Sequence, residues 1–429
     1  MAYTDFIAAI DLGTSHMVGM VGTKNATGAL SIIAYEVENS GTCIRRGCVY
    51  NVKETASKIR RLILKLENKL GGAKIGQVYV GLGGQSLRSI EHTVCKVLGT
   101  EGVVTEEIID SLYQECKDYR PDMLTVLDVV SPSYFLDDKP ESNPVGVPCS
   151  RIEARYKLIV GRPSLKLNIV NSISEQAKIE IAGILVSPLA LGDVVLSDNE
   201  KDLGCALIGF GAGVTTISVY KGGKLASLSV VPFGGNLITK DITNLRVVES
   251  EAERLKITYG SAKADRDNDM TIQVSLADGM GLREIKLAEL NGVIEARMDE
   301  ILENVYARLE ATGLMSVLGA GIVITGGGAA LKNLPAVMSE RLKMEVRYSA
   351  VRKGIVASGD LVVASNPEYA VAVGLLAKGT KNCALYIPPK PEPKIEPVVE
   401  PEPTVEPTPE PVKEKPKKEK KKVPACSGG

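Results

Sequence analysis

One pattern occurs twice in this chain and restricts the folds open to it: apolar strand, glycine turn, strand, turn, strand. The copy at 204–236 reads GCALIGFGAGVTTISVYKGGKLASLSVVPFGGN. Its apolar run Cys205–Phe210 meets the turn Gly211-Ala212-Gly213. β-branched and aromatic residues fill 215–220, and Lys221-Gly222-Gly223 turns the chain again. The copy at 7–37 reads IAAIDLGTSHMVGMVGTKNATGALSIIAYEV, with turns at Gly13-Thr14-Ser15 and 25–28. A further pair recurs, QVYVGLGG at 77–84 and GIVITGGG at 321–328, each an apolar strand ending in glycines. Glycines after a strand also mark the Rossmann and P-loop phosphate cradles. Both of those need a helix N-terminus directly after the glycines. Here another strand follows, which excludes both. Two readings remain: ordinary tight turns, or hairpin tips whose glycines let backbone N–H groups approach an anion. Recurrence in the same order favours the second. Two copies then imply two similar domains facing one cleft, with a nucleotide as the natural occupant.

Between the repeated units the periodicity changes. Residues 53–70 form an amphipathic helix with Ile59, Leu62, Ile63 and Leu66 on one face, ended by Gly71-Gly72. Residues 86–161 match nothing in the second half and read as an inserted α/β subdomain. It has a strand at 93–98, a helix at 105–116 with Thr105 as N-cap, strands around Tyr134 and over 156–160, and a loop at 137–148. A helix is expected over 171–181, a strand at 183–188, and a linking helix from Pro188. Residues 250–259 read as a helix opened by a capping box, Ser250 with Glu253. A strand follows at 271–276, then a long helix at 287–311, a helix from Pro335, and one opened by Asn366-Pro367-Glu368 and running to about 377. From Pro388 onward, 12 of the 22 prolines interleave with Glu and then Lys, so 388–429 is expected to be an extended, disordered tail.

Composition removes several function classes. A net charge of −1 argues against nucleic-acid binding by charge, and only two histidines, His16 and His92, argue against histidine catalysis or a His-rich metal site. The eight cysteines are scattered without C-x-x-C spacing and read as reduced thiols of a cytoplasmic protein. The start, MAYTDFIAAIDLG, has no basic region of a secretory signal, and no run of 18 apolar residues exists.

In order and spacing, Ile10-Asp11-Leu12-Gly13-Thr14-Ser15, the stretch GFGAGVT at 209–215, PFGGN at 232–236, AERLK at 252–256 and IVITGGG at 322–328 resemble the actin-like ATPase superfamily. Within it they resemble the FtsA cell-division family, over roughly 7–378. The resemblance implies an α/β, duplicated ribonuclease H-like fold: 1–86, 161–195 and 370–387 as subdomain 1A, 87–160 as the FtsA-type insert 1C, 196–245 and 313–369 as 2A, and 246–312 as 2B. It implies ATP and Mg²⁺ as ligands. Asp11 would bind Mg²⁺ through water, and Gly13, Thr14 and Ser15 would contact the β- and γ-phosphates. Gly211 and Gly213 would hold the phosphates from the other side, and Gly326, Gly327 and Gly328 would pass close to the adenosine. Glu253 and Lys256 would reach ribose or adenine. Rival readings stand beside these: Asp11 as a turn-polarising group, Glu253 as a purely structural cap, Lys256 as a solvated face. His16, where relatives often carry Lys, is assigned no role.

Two departures bear on chemistry. Most relatives begin the second phosphate motif with Asp, where this chain has Gly209. Filament-forming relatives often carry an acid where this chain has Ser187. Hydrolysis needs a positioned water and metal more than tight binding, so ATP binding with at most slow turnover is expected. The resemblance also implies FtsZ docking on 246–312, self-association into filaments, other division proteins on 87–160, and a peripheral place on the inner face of the cell membrane at the septum. FtsA relatives usually end in a membrane-binding amphipathic helix, and none is read here. The run at 413–422, seven Lys against two Glu, is either a solvated tail or a lipid contact worth roughly 1 kcal/mol per Lys. Alternatives are a PilM-like pilus-assembly adaptor and a small-molecule kinase of the superfamily. The kinase reading lacks an evident catalytic base.

Overall fold

Each glycine-turn unit folds into a five-stranded sheet. In the computed structural model, which describes residues 5–99, 102–275 and 281–385, the first sheet is ordered Leu30–Asn39, His16–Lys24, Ile7–Leu12, Gln77–Leu82, Glu180–Val186. The second is ordered Lys224–Val231, Thr215–Lys221, Cys205–Phe210, Ile322–Thr325, Val346–Tyr348. Both are an antiparallel three-strand meander extended by two parallel strands. The repeat in sequence is therefore a repeat in topology. Its register sets Asp11 opposite Val18 in the first sheet and Gly209 opposite Thr216 in the second. Each is the fifth residue of a six-residue strand. Gly209 thus holds the place of Asp11.

Helix Val52–Lys69 packs its buried Ile59, Leu62, Ile63 and Leu66 on the first sheet, as its spacing predicts. Helices Ser187–Val195 and Ala370–Lys378 are largely apolar and pack on each other, with Lys378 paired to Asp193 at 2.7 Å. A Cβ added at Gly374 would lie 2.6 Å from the Ala190 carbonyl carbon, so a glycine there sets how closely they cross. The second sheet is covered by Leu287–Glu310, against which Gly235–Ile242 packs; its Ile294, Met298, Ile301, Val305 and Leu309 are buried as expected. The seven described cysteines form no disulfide. No described helix is long and apolar enough to cross a membrane.

The insert forms a separate sheet ordered Arg88–Val97, Arg151–Gly161, Thr125–Leu136, Lys139–Glu141, with helix Glu106–Asp118 and its own apolar cluster around Val94, Leu112, Ile152 and Tyr156. It also closes the outer edge of the second sheet. The edge N–H groups of Leu225 and Leu228 donate to Ser131 Oγ (2.9 Å) and Ser89 Oγ (2.8 Å), while Lys224 Nζ donates to the Pro132 carbonyl. An open edge would leave those donors unpaired. Ser89→Ala is expected to cost about 1 kcal/mol. It should speed amide exchange at Leu228 and leave exchange in helix Val52–Lys69, monitored at Ile59, unchanged. Unaltered exchange at Leu228 would remove the edge-closing role.

Several local expectations need correction. The helix expected at 171–181 begins earlier, as Ser164–Val170, and widens into a π-helical segment Asn171–Ala177. Leu165, Ile169 and Ile173 are the buried stripe, and left-handed Lys178 ends it before strand Glu180–Val186. The loop at 137–148 contains strand Lys139–Glu141, because Asp137 and Asp138 both take left-handed angles and close a two-residue hairpin. Asn366 does not cap a helix. Its Oδ1 accepts from Glu368 N–H at 3.0 Å to close a turn, and the helix starts at Ala370. The tail expected at 388–429, and Leu276, lie outside the described residues.

Candidate functional site

The first tip, Gly13-Thr14-Ser15, joins Ile7–Leu12 to His16–Lys24 and is held from behind. Ser40 Oγ donates to the Gly13 carbonyl at 2.7 Å, and Ser40 N–H to the Ser15 carbonyl at 2.9 Å. The second tip, Gly211-Ala212-Gly213, is held by the start of helix Gly235–Ile242. The N–H groups of Gly235 and Asn236 donate to the Gly211 and Ala212 carbonyls at 2.9 and 2.8 Å. The tips oppose each other directly. A Cβ added at Gly213 would lie 2.6 Å from Thr14 Oγ1 and 2.9 Å from Thr14 Cγ2. Glycine at 213 is thus required by the approach of the two halves.

Asp11 lies at the C-terminal end of its strand, below the first tip. A Cβ added at Gly81 would lie 3.1 Å from Asp11 Oδ1 and 2.5 Å from Ser187 Oγ, so the carboxylate and the hydroxyl converge over Gly81. Burial pushes the Asp11 carboxyl up to about 6, against the pull of the Leu12 N–H. No cationic side chain among the described residues pairs with it. At the twin position, a Cβ on Gly209 would lie 2.7 Å from Thr216 Oγ1. Beside it, the buried Thr325 hydroxyl has no protein partner. The two equivalent strand ends therefore carry one carboxylate and hydroxyls where the twin could have held a second acid. Mg²⁺ is commonly bound by one or two carboxylates together with waters and substrate phosphates, and this donor set fits it.

Glu253 and Lys256 are not where a capping box puts them. Helix Glu249–Tyr259 begins early enough that Glu253 lies beyond the first turn, and Val248 caps it without a side-chain bond. Glu253 instead bonds Thr239 Oγ1 and pairs with Lys256 at 2.6 Å. Lys256 Nζ also donates to Thr239 Oγ1 (2.8 Å) and the Gly235 carbonyl (3.2 Å), and its side chain is only 12% exposed. Neither the structural-cap reading of Glu253 nor the solvated-face reading of Lys256 holds. The pair braces Gly235, which in turn braces the second tip.

Gly326, at φ +87°, and Gly328 press on Phe210: added Cβ atoms would lie 2.5 Å from its carbonyl oxygen and 3.0 Å from its Cβ. Gly326 is required by its left-handed angle and this approach, independently of any ligand, whereas Gly328 is only tightly packed. Gly327 faces the Glu368 carboxylate, 3.3 Å from an added Cβ. Sequence reasoning missed the tight hairpin formed by Ile44–Arg45 and Cys48–Val49. Its two turn residues, Arg46 (φ 49°) and Gly47 (φ 70°), are both left-handed. Gly47 N–H donates to Thr14 Oγ1 at 2.9 Å, and Arg46 Cα lies 2.9 Å from the Cβ position on Gly213. The Arg-Gly pair between short β-branched and apolar residues was the available signal.

The comparisons with known proteins agree with this architecture. The sequence profile of the family described as "Cell division protein FtsA" matches residues 206–374. A Porphyromonas gingivalis protein named Cell division protein FtsA is 39% identical over 382 residues, covering 89% of this chain and 79% of that protein. The Bacillus subtilis protein of the same name is 32% identical over 392 residues, covering 90% and 86%. Among solved structures, a PilM-PilN type IV pilus biogenesis complex aligns with a TM-score of 0.60 at 15% identity, covering 86% of this chain and 97% of that one. A MamK double helical filament aligns at 0.50 and 12%, covering 86% and 97%. These two speak to the fold, which is actin-like. Identity of 39% and 32% sustained over about nine-tenths of the chain speaks to descent: the chain belongs to the FtsA family of cell division proteins.

Proposed function

We propose that this chain is an ATP–Mg²⁺-binding member of its family whose nucleotide governs assembly rather than chemistry. The observation that carries this is the meeting of the two glycine tips above a half-buried carboxylate that no cationic side chain among the described residues pairs with. In this reading Gly13, Thr14 and Ser15 offer N–H and hydroxyl donors to the β- and γ-phosphates from one side, and Gly211 and Gly213 offer N–H donors from the other. Asp11, beside Ser187, holds the Mg²⁺ through water, and the cation neutralises phosphate charge when bound. Gly326, Gly327 and Gly328, with the Glu253–Lys256 pair, line the adenosine side. Gly209 withholds the second carboxylate that would orient metal and attacking water, so turnover is very slow.

By family, copies of the chain polymerise, 246–312 receives FtsZ, 87–160 receives other division proteins, and the assembly lies on the inner face of the cytoplasmic membrane at the septum. The subdomain boundaries given above follow the same reading. Sedimentation with FtsZ and anionic vesicles, with and without ATP, tests it: FtsZ should pellet with vesicles only when this protein and ATP are present. Vesicle pellets free of FtsZ under every condition, or sustained ATP turnover on the order of one per second, would contradict it.

A further inference from the structure

We propose that Arg46 is the cationic group of this cleft, delivering its guanidinium to the terminal phosphate of a bound nucleoside triphosphate. The inference rests on the nucleotide reading above and names a residue that neither repeated motif contains. The charge inventory motivates it. Both tips are neutral, Gly-Thr-Ser and Gly-Ala-Gly, and the carboxylate below them is negative. A triphosphate there meets backbone N–H groups but no positive side chain from either tip. Of the nearby cations, Lys256 is already bound to a carboxylate, a hydroxyl and a carbonyl. Arg45 is stacked on the Tyr50 ring, 3.8 Å from its centroid. Arg46 has no carboxylate partner among the described residues; its guanidinium donates at 3.2 Å to the neutral Gln85 Oε1 and is otherwise exposed.

The backbone explains why this arginine is so placed. The turn of Arg46 and Gly47 is wedged where the tips meet, bound to Thr14 on one side and seated against Gly213 on the other. It is pinned from behind as well. Gln85 N–H donates to the Arg46 carbonyl at 3.2 Å, and a Cβ on Gly47 would lie 3.0 Å from Gly84 Cα. The hairpin is therefore a third tip, pinned in its backbone and carrying one exposed charge. A guanidinium suits this task because its planar fork can grip two phosphate oxygens at once. The neutral bond to Gln85 is a weak resting place that a phosphate outcompetes, since bonds to charged acceptors are roughly twice as strong.

The test is calorimetric titration of the full chain with ATP, ADP and AMP in Mg²⁺, for wild type, Arg46→Gln, Arg46→Lys and Gln85→Ala. Arg46→Gln is expected to weaken ATP by about 10- to 100-fold while changing AMP little. Arg46→Lys should recover part of the loss, because it restores charge without the fork. Gln85→Ala should retain ATP affinity, because it only frees the arginine. Wild type that binds none of the three overturns the nucleotide reading itself. Wild type that binds ATP, with Arg46→Gln unchanged, overturns this proposal alone. An equal loss for ATP and AMP, accompanied by a lower melting temperature, assigns Arg46 a structural role and also overturns it.

Discussion

Asp11→Asn is expected to stabilise the nucleotide-free protein while abolishing Mg²⁺-dependent nucleotide binding. The Asp11 carboxyl titrates at about 6 in the folded chain against 3.8 for the unperturbed group, and desolvation is the main cause. A pKa raised on folding means that the folded state holds the proton more tightly. The contribution to stability is fully present below about pH 4 and is lost as pH rises through about 6. At pH 7 the ionised carboxylate therefore costs roughly 3 kcal/mol. Asn keeps the shape and removes the charge, so it should recover much of that amount and flatten stability between pH 4 and 6. Urea unfolding of both proteins across that range measures it. The same substitution removes the charge that a divalent cation would neutralise, so nucleotide affinity should become equal in Mg²⁺ and EDTA. A less stable variant at pH 7, or retained Mg²⁺ dependence, would refute the assignment. Stability given up at a site that a ligand later relieves is the expected signature of a binding carboxylate.

Gly213→Val should disable the cleft by separating its two tips. The first added carbon would lie 2.6 Å from Thr14 Oγ1 and 2.9 Å from Arg46 Cα. Thr14 can turn away, but Arg46 Cα belongs to a hairpin backbone pinned on Gly84 and Gln85. The halves must therefore part. Overpacking of this kind costs about 1–3 kcal/mol in stability, and ATP affinity should fall by about 100-fold because donors on opposite sides no longer converge. Equilibrium titration with ATP alongside a thermal melt checks both. Thr14→Ala placed on the Gly213→Val background should restore little, since the clash with Arg46 remains. Full rescue by Thr14→Ala would show that the hairpin is not a wall of the cleft.

Much of the fold was legible because its signals are local. Continuous apolar runs ending in glycine turns mark the leading strands of both meanders, and period 3.6 marks 52–69 and 287–310. A strand beside a glycine turn needs nothing distant to be recognised, and the same order occurring twice implies the paired sheets. Local signals failed where a distant partner decided the outcome. The helix at 249–259 starts before Ser250, so Glu253 lies too far along it to cap and turns to Thr239, fourteen residues earlier in the chain. The wide turn at 171–177 lies against helix Val52–Lys69, with Leu165, Ile169 and Ile173 in the first core, a distant contact that no window of sequence reveals.

The candidate site divides in the same way. The glycine turns were readable because a close-approach turn leaves a mark in its own few residues, while the roles proposed for Asp11 and those glycines came from the family resemblance. Two features were not readable. The tips touch through Thr14 and Gly213, and Arg46-Gly47 is wedged between them, joining positions about 30 and 200 residues apart through pairwise geometry. Sequence by itself determined that this chain builds two glycine-tipped sheets, because backbone preference and apolar period act over a handful of residues. Only the tertiary structure decided that the tips meet over one carboxylate with the Arg46 turn between them, because such contacts depend on how whole sheets pack.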